Sequence, residues 1–194
     1  YLEDGEIERR VIYCTKKLAW LVSDTNPGVA DSTMWANELY PFGDGVIFKA
    51  KDGVHGYEWW YADGSEFGTY MIKDVNPGAD DGPSNWQHGD PVISDKRAWD
   101  AEIGMYFSAD DGVHGDELWF TDGTHDGTYM IKDFNQGSGS SIIKHLTTFG
   151  GYIFFSVQGE LWMTDGTEEG AWLISTLSYP SDLFVFEDEL YFEA

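Results

Sequence analysis

Five histidines and a large excess of carboxylates are the residues of this chain that could do chemistry. His55 and His114 each lie in an Asp-Gly-Val-His-Gly segment, and His88 follows Trp86 in a polar stretch. Neutral imidazoles that converge from separate loops are good ligands for copper or zinc, with carboxylates in support. The alternative for His55 and His114 is a loop residue that hydrogen-bonds to its own repeat. A metal site therefore requires a fold that brings these loops together.

The two histidine segments belong to an internal repeat. Residues 51–74 align with residues 110–133 at an offset of 59 positions, and a shorter copy covers 159–167. Asp-Gly separates two apolar runs in each copy, which favours a hairpin because primed turns need a positive φ that glycine reaches at low cost. Repeats of this length are typical of propellers, solenoids and arrays. Each unit is predicted to form four short antiparallel strands, the content of one propeller blade.

The repeat resembles the signature of the ELWxxDGT-repeat proteins, which are mostly secreted bacterial proteins with no common assigned activity. The motif Glu-Leu-Trp-x-Thr-Asp-Gly-Thr is matched within 117–128 and 160–167. It is looser within 58–69, where Trp59 replaces leucine and Ala62 replaces threonine. The resemblance implies a β-propeller and an extracellular or cell-surface setting. The recurring residues of the motif are expected to be structural, namely Glu117, Trp119, Glu160 and Trp162.

The repeat boundaries predict an all-β fold, a four-bladed β-propeller in a single domain of residues 1–194. The expected parts are a half-blade at 1–28, blades at about 33–75, 92–134 and 142–176, and a closing half-blade at 183–194. Pairing of the N-terminal and C-terminal half-blades would complete the fourth blade. Such closure removes the exposed sheet edges that invite aggregation.

Charge and composition restrict the partners of this chain. Its 11 Lys and Arg against 35 Asp and Glu give a formal net charge of −24. This argues against nucleic acid or an anionic membrane surface as the main partner, because both need clustered Lys and Arg. The single cysteine, Cys14, predicts neither a disulfide framework nor a thiolate metal cluster. The first residues do not resemble a signal peptide and no transmembrane run occurs, so we expect a mature form whose leader has been removed.

Blade topology predicts a histidine-lined rim. In a propeller, loops that join the second and third strands emerge on the same face as the connections between blades. We therefore expect four residues to share one rim and to hold one transition-metal ion, copper in preference to zinc. They are His55, His114, and Trp86 and His88 of the long 79–100 connection. Trp86-Gln-His88 also resembles the Trp-x-His of secreted copper-binding proteins of methanotrophs, in which the Trp is oxidised to kynurenine and binds the metal. The predicted function is a non-enzymatic, secreted or cell-surface metal-binding protein.

Two other functions remain open at this point. One is a glycan-binding or adhesion module, which would stack sugars or a cell-surface component on exposed tryptophans. Binding by such a module could depend on calcium. A glycosidase-like enzyme would need two carboxylates at a defined separation, which abundance alone does not supply. The sequence contains no Gly-x-Ser-x-Gly elbow and no His-Glu-x-x-His, so no enzyme is predicted. The candidate sugar-binding residues are Trp35, Trp86 and Trp99. The candidate calcium ligands are Asp80, Asp81, Asp110, Asp111 and Asp116.

Overall fold

The computed structural model describes residues 11–15, 18–23, 39–65, 67–78, 80–83, 92–94, 104–167, 170–176 and 180–193. Regular structure in these ranges is β-strand throughout, with no helix, which confirms the all-β prediction. No helix of the described ranges is long and apolar enough to cross a membrane. The strands are β1 (Val11–Thr15), β2 (Leu18–Ser23), β3 (Leu39–Phe42), β4 (Gly45–Ala50), β5 (Glu58–Ala62), β6 (Thr69–Met71), β7 (Val92–Ser94), β8 (Gly104–Asp110), β9 (Asp116–Thr121), β10 (Thr128–Lys132), β11 (Ile143–Phe149), β12 (Tyr152–Val157), β13 (Glu160–Thr164), β14 (Ala171–Ser175), β15 (Ser181–Phe186) and β16 (Glu189–Glu193).

Three antiparallel sheets share one plan, in which four consecutive strands pair in chain order. These sheets are β3–β6, β7–β10 and β11–β14. In each sheet a phenylalanine of the second strand lies opposite the repeat tryptophan of the third. The pairs are Phe48 with Trp60, Phe107 with Trp119, and Phe155 with Trp162. The register is shared because side chains alternate between faces, so a slip of one residue would move every tryptophan to the other face.

The Thr-Asp-Gly turn between the third and fourth strands is wider than the two-residue hairpin that Asp-Gly suggests. Asp122 N donates to Gly127 O at 3.2 Å, and Asp122 Oδ1 accepts from Thr124 N at 2.9 Å. The carboxylate thus bonds to the backbone of its own turn, as aspartate often does. A Cβ at Gly127 would overlap that carboxylate, which explains the glycine. The same closing bond joins Asp63 N to Gly68 O and Asp165 N to Gly170 O.

The main described core lies between the faces of the second and third of these sheets. Tyr106, Phe120 and Ile131 from β7–β10 pack with Ile153 and Phe155 from β11–β14 in one buried cluster. Each such side chain contributes roughly 1.5–3 kcal/mol by leaving water. The Tyr129 hydroxyl also donates to Gly166 O at 2.6 Å and so joins the two sheets.

The chain divides into two compact units, residues 1–81 and 82–194. The first contains the β1–β2 hairpin and the β3–β6 sheet, and the second contains β7 to β16. Within the second unit the first strands of successive sheets are neighbours, because β11 contacts both β7 and β15. Thr147 Oγ1 on β11 donates to Leu183 O on β15 at 3.1 Å. First strands that lie side by side are what neighbouring propeller blades require.

The terminal hairpins lie at the positions along the chain where half-blades were expected. Among the described strands, β1–β2 and β15–β16 are each recorded as a separate two-stranded sheet. Residues 1–10 and 24–28 of the first half-blade lie outside the described residues. Closure of the ring and the single-domain organisation therefore stay predictions.

Candidate functional site

Each repeat histidine lies in a short loop whose first residue, an aspartate, hydrogen-bonds to the loop backbone. We call residues 52–56 and 111–115 the histidine loops; they join β4 to β5 and β8 to β9. Asp52 Oδ1 accepts from Val54 N and from His55 N, both at 2.9 Å. Asp111 Oδ1 bonds in the same way to the backbone of His114, at 2.8 Å. The carboxylate therefore satisfies two backbone donors that the turn would otherwise leave without partners.

The same aspartate also fixes the imidazole ring. His55 Nδ1 lies 2.8 Å from Asp52 Oδ2, and His114 Nδ1 lies 2.7 Å from Asp111 Oδ2. A carboxylate can only accept, so we assign the Nδ1 proton to this bond in both rings. In the neutral tautomer the lone pair then lies on Nε2. The side chains are 30% and 35% exposed, so the imidazoles are accessible from solvent.

A second carboxylate of the same repeat lies near each imidazole. His55 Nε2 is 3.8 Å from Asp74 Oδ2. The charge of Asp133, the equivalent of Asp74, acts on His114. Both aspartates also accept from a glycine N–H in their own turn, at 3.3 and 3.2 Å. In both, the other carboxylate oxygen, Oδ1, is buried and has no hydrogen-bond partner.

These contacts shift the pKa of the imidazoles and of their partners in opposite directions. The hydrogen bond with Asp52 raises the pKa of His55, against a smaller opposing effect of burial, and the charges of Asp52 and Asp74 add to the rise. The bond with Asp111 likewise raises the pKa of His114. Burial works to raise the pKa of Asp52 and Asp111, but hydrogen bonds from the loop backbone and the imidazole outweigh it and lower both.

The repeat glutamate and tryptophan beside the second loop bond within the fold. Glu117 is fully buried, and its carboxylate accepts from Phe134 N at 3.0 Å and from Ser141 Oγ at 2.8 Å. Burial raises the pKa of Glu117, and these two bonds oppose the rise. Trp119 Nε1 donates to Ala109 O at 3.1 Å. Glu117 therefore clamps the connection from β10 to β11 onto β9, and Trp119 ties β9 to β8.

The third copy uses its glutamate differently. Trp162 Nε1 donates to Glu160 Oε2 at 3.3 Å, so this carboxylate binds the tryptophan of its own strand. The preceding loop is reduced to the turn at Gln158 and Gly159, where no histidine is present. The histidine loop is therefore a feature of the first two copies only.

The structure describes two of the four predicted metal ligands. His55 belongs to the first compact unit and His114 to the second, and Trp86 and His88 lie outside the described residues. Their convergence on one rim stays a prediction. Within the described ranges, no group of three or more His, Cys, Asp or Glu side chains has a geometry suited to hold a metal ion. What the structure does bring together is each repeat histidine with the aspartate that begins its own loop, and His55 also with Asp74.

Two of the calcium candidates accept hydrogen bonds from backbone N–H groups. Asp110 Oδ1 accepts from Gly112 N within its own turn at 2.7 Å. Asp81 Oδ1 accepts from Tyr57 N at 2.8 Å and so joins two distant loops. The sugar candidates Trp35, Trp86 and Trp99 lie outside the described residues.

Two functional candidates were missed by reasoning from sequence, Asp74 and Asp133. The 59-residue offset already relates them to each other. Only their position beside the imidazoles distinguishes them from the other turn aspartates.

Comparison with known proteins leaves the chain without a match: no family model, no curated protein and no solved structure is similar to it. The resemblance to the ELWxxDGT-repeat proteins stays a prediction.

Proposed function

We propose that this chain is a non-enzymatic metal-binding protein, in which Nε2 of His55 and of His114 bind a transition metal, copper or zinc. The observation that carries this proposal is the carboxylate on Nδ1 of both imidazoles, at 2.8 and 2.7 Å. Metal-ligating histidines almost always donate their other ring N–H to such a partner, which fixes the tautomer and makes the free nitrogen more basic.

Three further features support the proposal. The histidine side chains are about one-third exposed. The net charge of −24 raises the local concentration of cations. The same contact, between Nδ1 and the loop aspartate, occurs in both copies of the repeat. Trp86 and His88 remain candidate additional ligands on the predicted rim. The proposed setting is extracellular or cell-surface, as the repeat resemblance implies.

The proposed scaffold for this function is a four-bladed propeller closed by the terminal hairpins. The shared plan of the three four-stranded sheets supports it. So do the face-to-face core and the adjacent first strands of the second unit. A rigid propeller would hold the histidine loops in place, since loops on such scaffolds commonly carry function.

Elemental analysis tests the proposed function. Protein from its native source should contain copper or zinc, and a His55→Ala/His114→Ala double variant should lose that metal. His125→Ala is the matched control, because His125 also has a carboxylate on Nδ1, Asp126 at 3.0 Å, but lies in a different turn. Undiminished metal in the double variant, or native protein without either metal, would refute the proposal.

A further inference from the structure

The carboxylates that act on each repeat histidine come from its own repeat. His55 is flanked by Asp52 on Nδ1 and by Asp74 on the side of Nε2. All three residues belong to the first compact unit, and the corresponding three, 111, 114 and 133, belong to the second. Each imidazole therefore has a carboxylate partner that does not depend on the other loop.

The distance between His55 Nε2 and Asp74 Oδ2 is informative. At 3.8 Å it is too long for a hydrogen bond, which needs about 2.7–3.2 Å. Two ligands bound at about 2.1 Å to a tetrahedral ion lie about 3.4 Å apart. In the first repeat, the observed 3.8 Å is somewhat longer than the spacing of two atoms that share one ion. The second repeat supplies the equivalent residues, and there the charge of Asp133 acts on His114.

The other oxygen of each of these aspartates has no hydrogen-bond partner. Oδ1 of Asp74 and Oδ1 of Asp133 are both buried and have no hydrogen-bond partner. Burying such an oxygen without a partner costs about 1–3 kcal/mol, and more when the group is charged. The same unsatisfied atom recurs in both copies of the repeat. A cation bound at the other carboxylate oxygen would neutralise the carboxylate and so offset part of this cost.

We propose that each repeat binds its own transition-metal ion, between the histidine Nε2 and the aspartate at position 74 or 133, so that the chain binds two ions. This inference rests on the proposed function and specifies its ligands and stoichiometry. The described residues supply two ligand side chains per ion, so solvent completes the coordination of each. Asp52 and Asp111 orient the imidazoles and do not touch the metal.

Zinc stoichiometry of the full chain tests this inference. We would dialyse the chain to equilibrium against Zn(II) alone, as zinc chloride, and measure bound zinc by elemental analysis. The variants are His55→Asn and His114→Asn, because the asparagine amide takes the place of Nδ1 and keeps the bond to the loop aspartate while Nε2 is removed. Asp74→Asn removes the second ligand but retains an acceptor for Gly78 N. Thermal melting checks that every variant is folded.

We expect two zinc ions in the unaltered chain, one in either single histidine variant, and none in the double variant. Asp74→Asn should weaken one site at least tenfold and leave the other unchanged. A single ion that is lost in either histidine variant would show a shared site, which overturns this inference and leaves the proposed function standing. Zinc that survives in the double variant would overturn both. Equal zinc binding by Asp74→Asn and the unaltered chain would show that Asp74 is not a ligand, and would overturn this inference.

Discussion

Two isoleucines at the same position of the repeat should respond very differently to truncation. Ile131 on β10 and Ile174 on β14 align at the 43-residue offset of the later copies. Ile131 is 1% exposed and belongs to the core between two sheets, whereas Ile174 is 47% exposed. In both cases the next sheet along the chain would be the cover. Ile131 has the four-stranded β11–β14 sheet after it, and Ile174 is followed by the two-stranded β15–β16 sheet.

The expected costs follow from this difference in exposure. Ile→Ala removes three carbons, or about 2.4 kcal/mol of transfer free energy at about 0.8 per buried carbon. A residual cavity should bring Ile131→Ala to about 3 kcal/mol, within the measured range for core isoleucines. Ile174 already leaves about half its surface in water, so its truncation should cost about 1 kcal/mol and leave no cavity. The change in strand propensity is the same at both sites and cancels in the comparison.

Urea denaturation of the two variants and the unaltered chain measures this difference directly. The midpoint multiplied by the slope gives the free energy of unfolding, and an unchanged slope shows that the comparison is sound. Ile131→Ala should be less stable than Ile174→Ala by about 2 kcal/mol. Equal destabilisation would mean that Ile174 is as well covered as Ile131, and the reasoning from exposure would be refuted.

Two other predictions concern the clamp and the histidine loops. Glu117→Ala should lower the free energy of unfolding by about 2–5 kcal/mol, because Phe134 N and Ser141 Oγ both lose their acceptor. Glu117→Gln keeps one acceptor oxygen and should cost less. Equal unfolding midpoints for the two variants would count against the clamp. The raised pKa of His55 means that its bond to Asp52 stabilises the fold fully below the ordinary histidine value of 6.5, and that this contribution is lost as pH rises through the raised pKa. The lowered pKa of Asp52 has the opposite sign, since its contribution is present above 3.8 and is lost as pH falls through the lowered value. Amide hydrogen exchange in the metal-free chain should therefore show the loops best protected between about pH 4 and 6.5; protection that keeps rising above pH 8 would contradict the assignment.

Local features of this protein were readable from the repeat. The offset between the copies predicted four-stranded units, because strand and turn signals act over a few residues and recur with the sequence. The Phe–Trp register across the second and third strands follows from the same alternation. The Asp-Gly turns were located correctly, but their width was not, since it depends on how the Asp122 carboxylate bonds to the backbone of the turn.

The candidate site was readable only in part. The Asp-Gly-Val-His-Gly segments identified the histidines, and hydrogen bonding to their own repeat was one of two interpretations. The partnership of His55 with Asp74 joins a loop to a distant turn, and no pattern along the chain encodes that distance. Many aspartates precede or follow a glycine here, and only the folded chain shows which of them buries an unsatisfied oxygen beside an imidazole.

Sequence by itself determined the strands, the turns and the identity of the repeated residues, because these depend on neighbours a few positions apart. Tertiary structure decided which equivalent residues are covered and which carboxylates face the histidines. Ile131 and Ile174 illustrate the physical reason: the same side chain at the same repeat position is buried or exposed according to the sheet that follows it. Burial and electrostatic partnership are properties of the surroundings, and those surroundings come from distant parts of the chain.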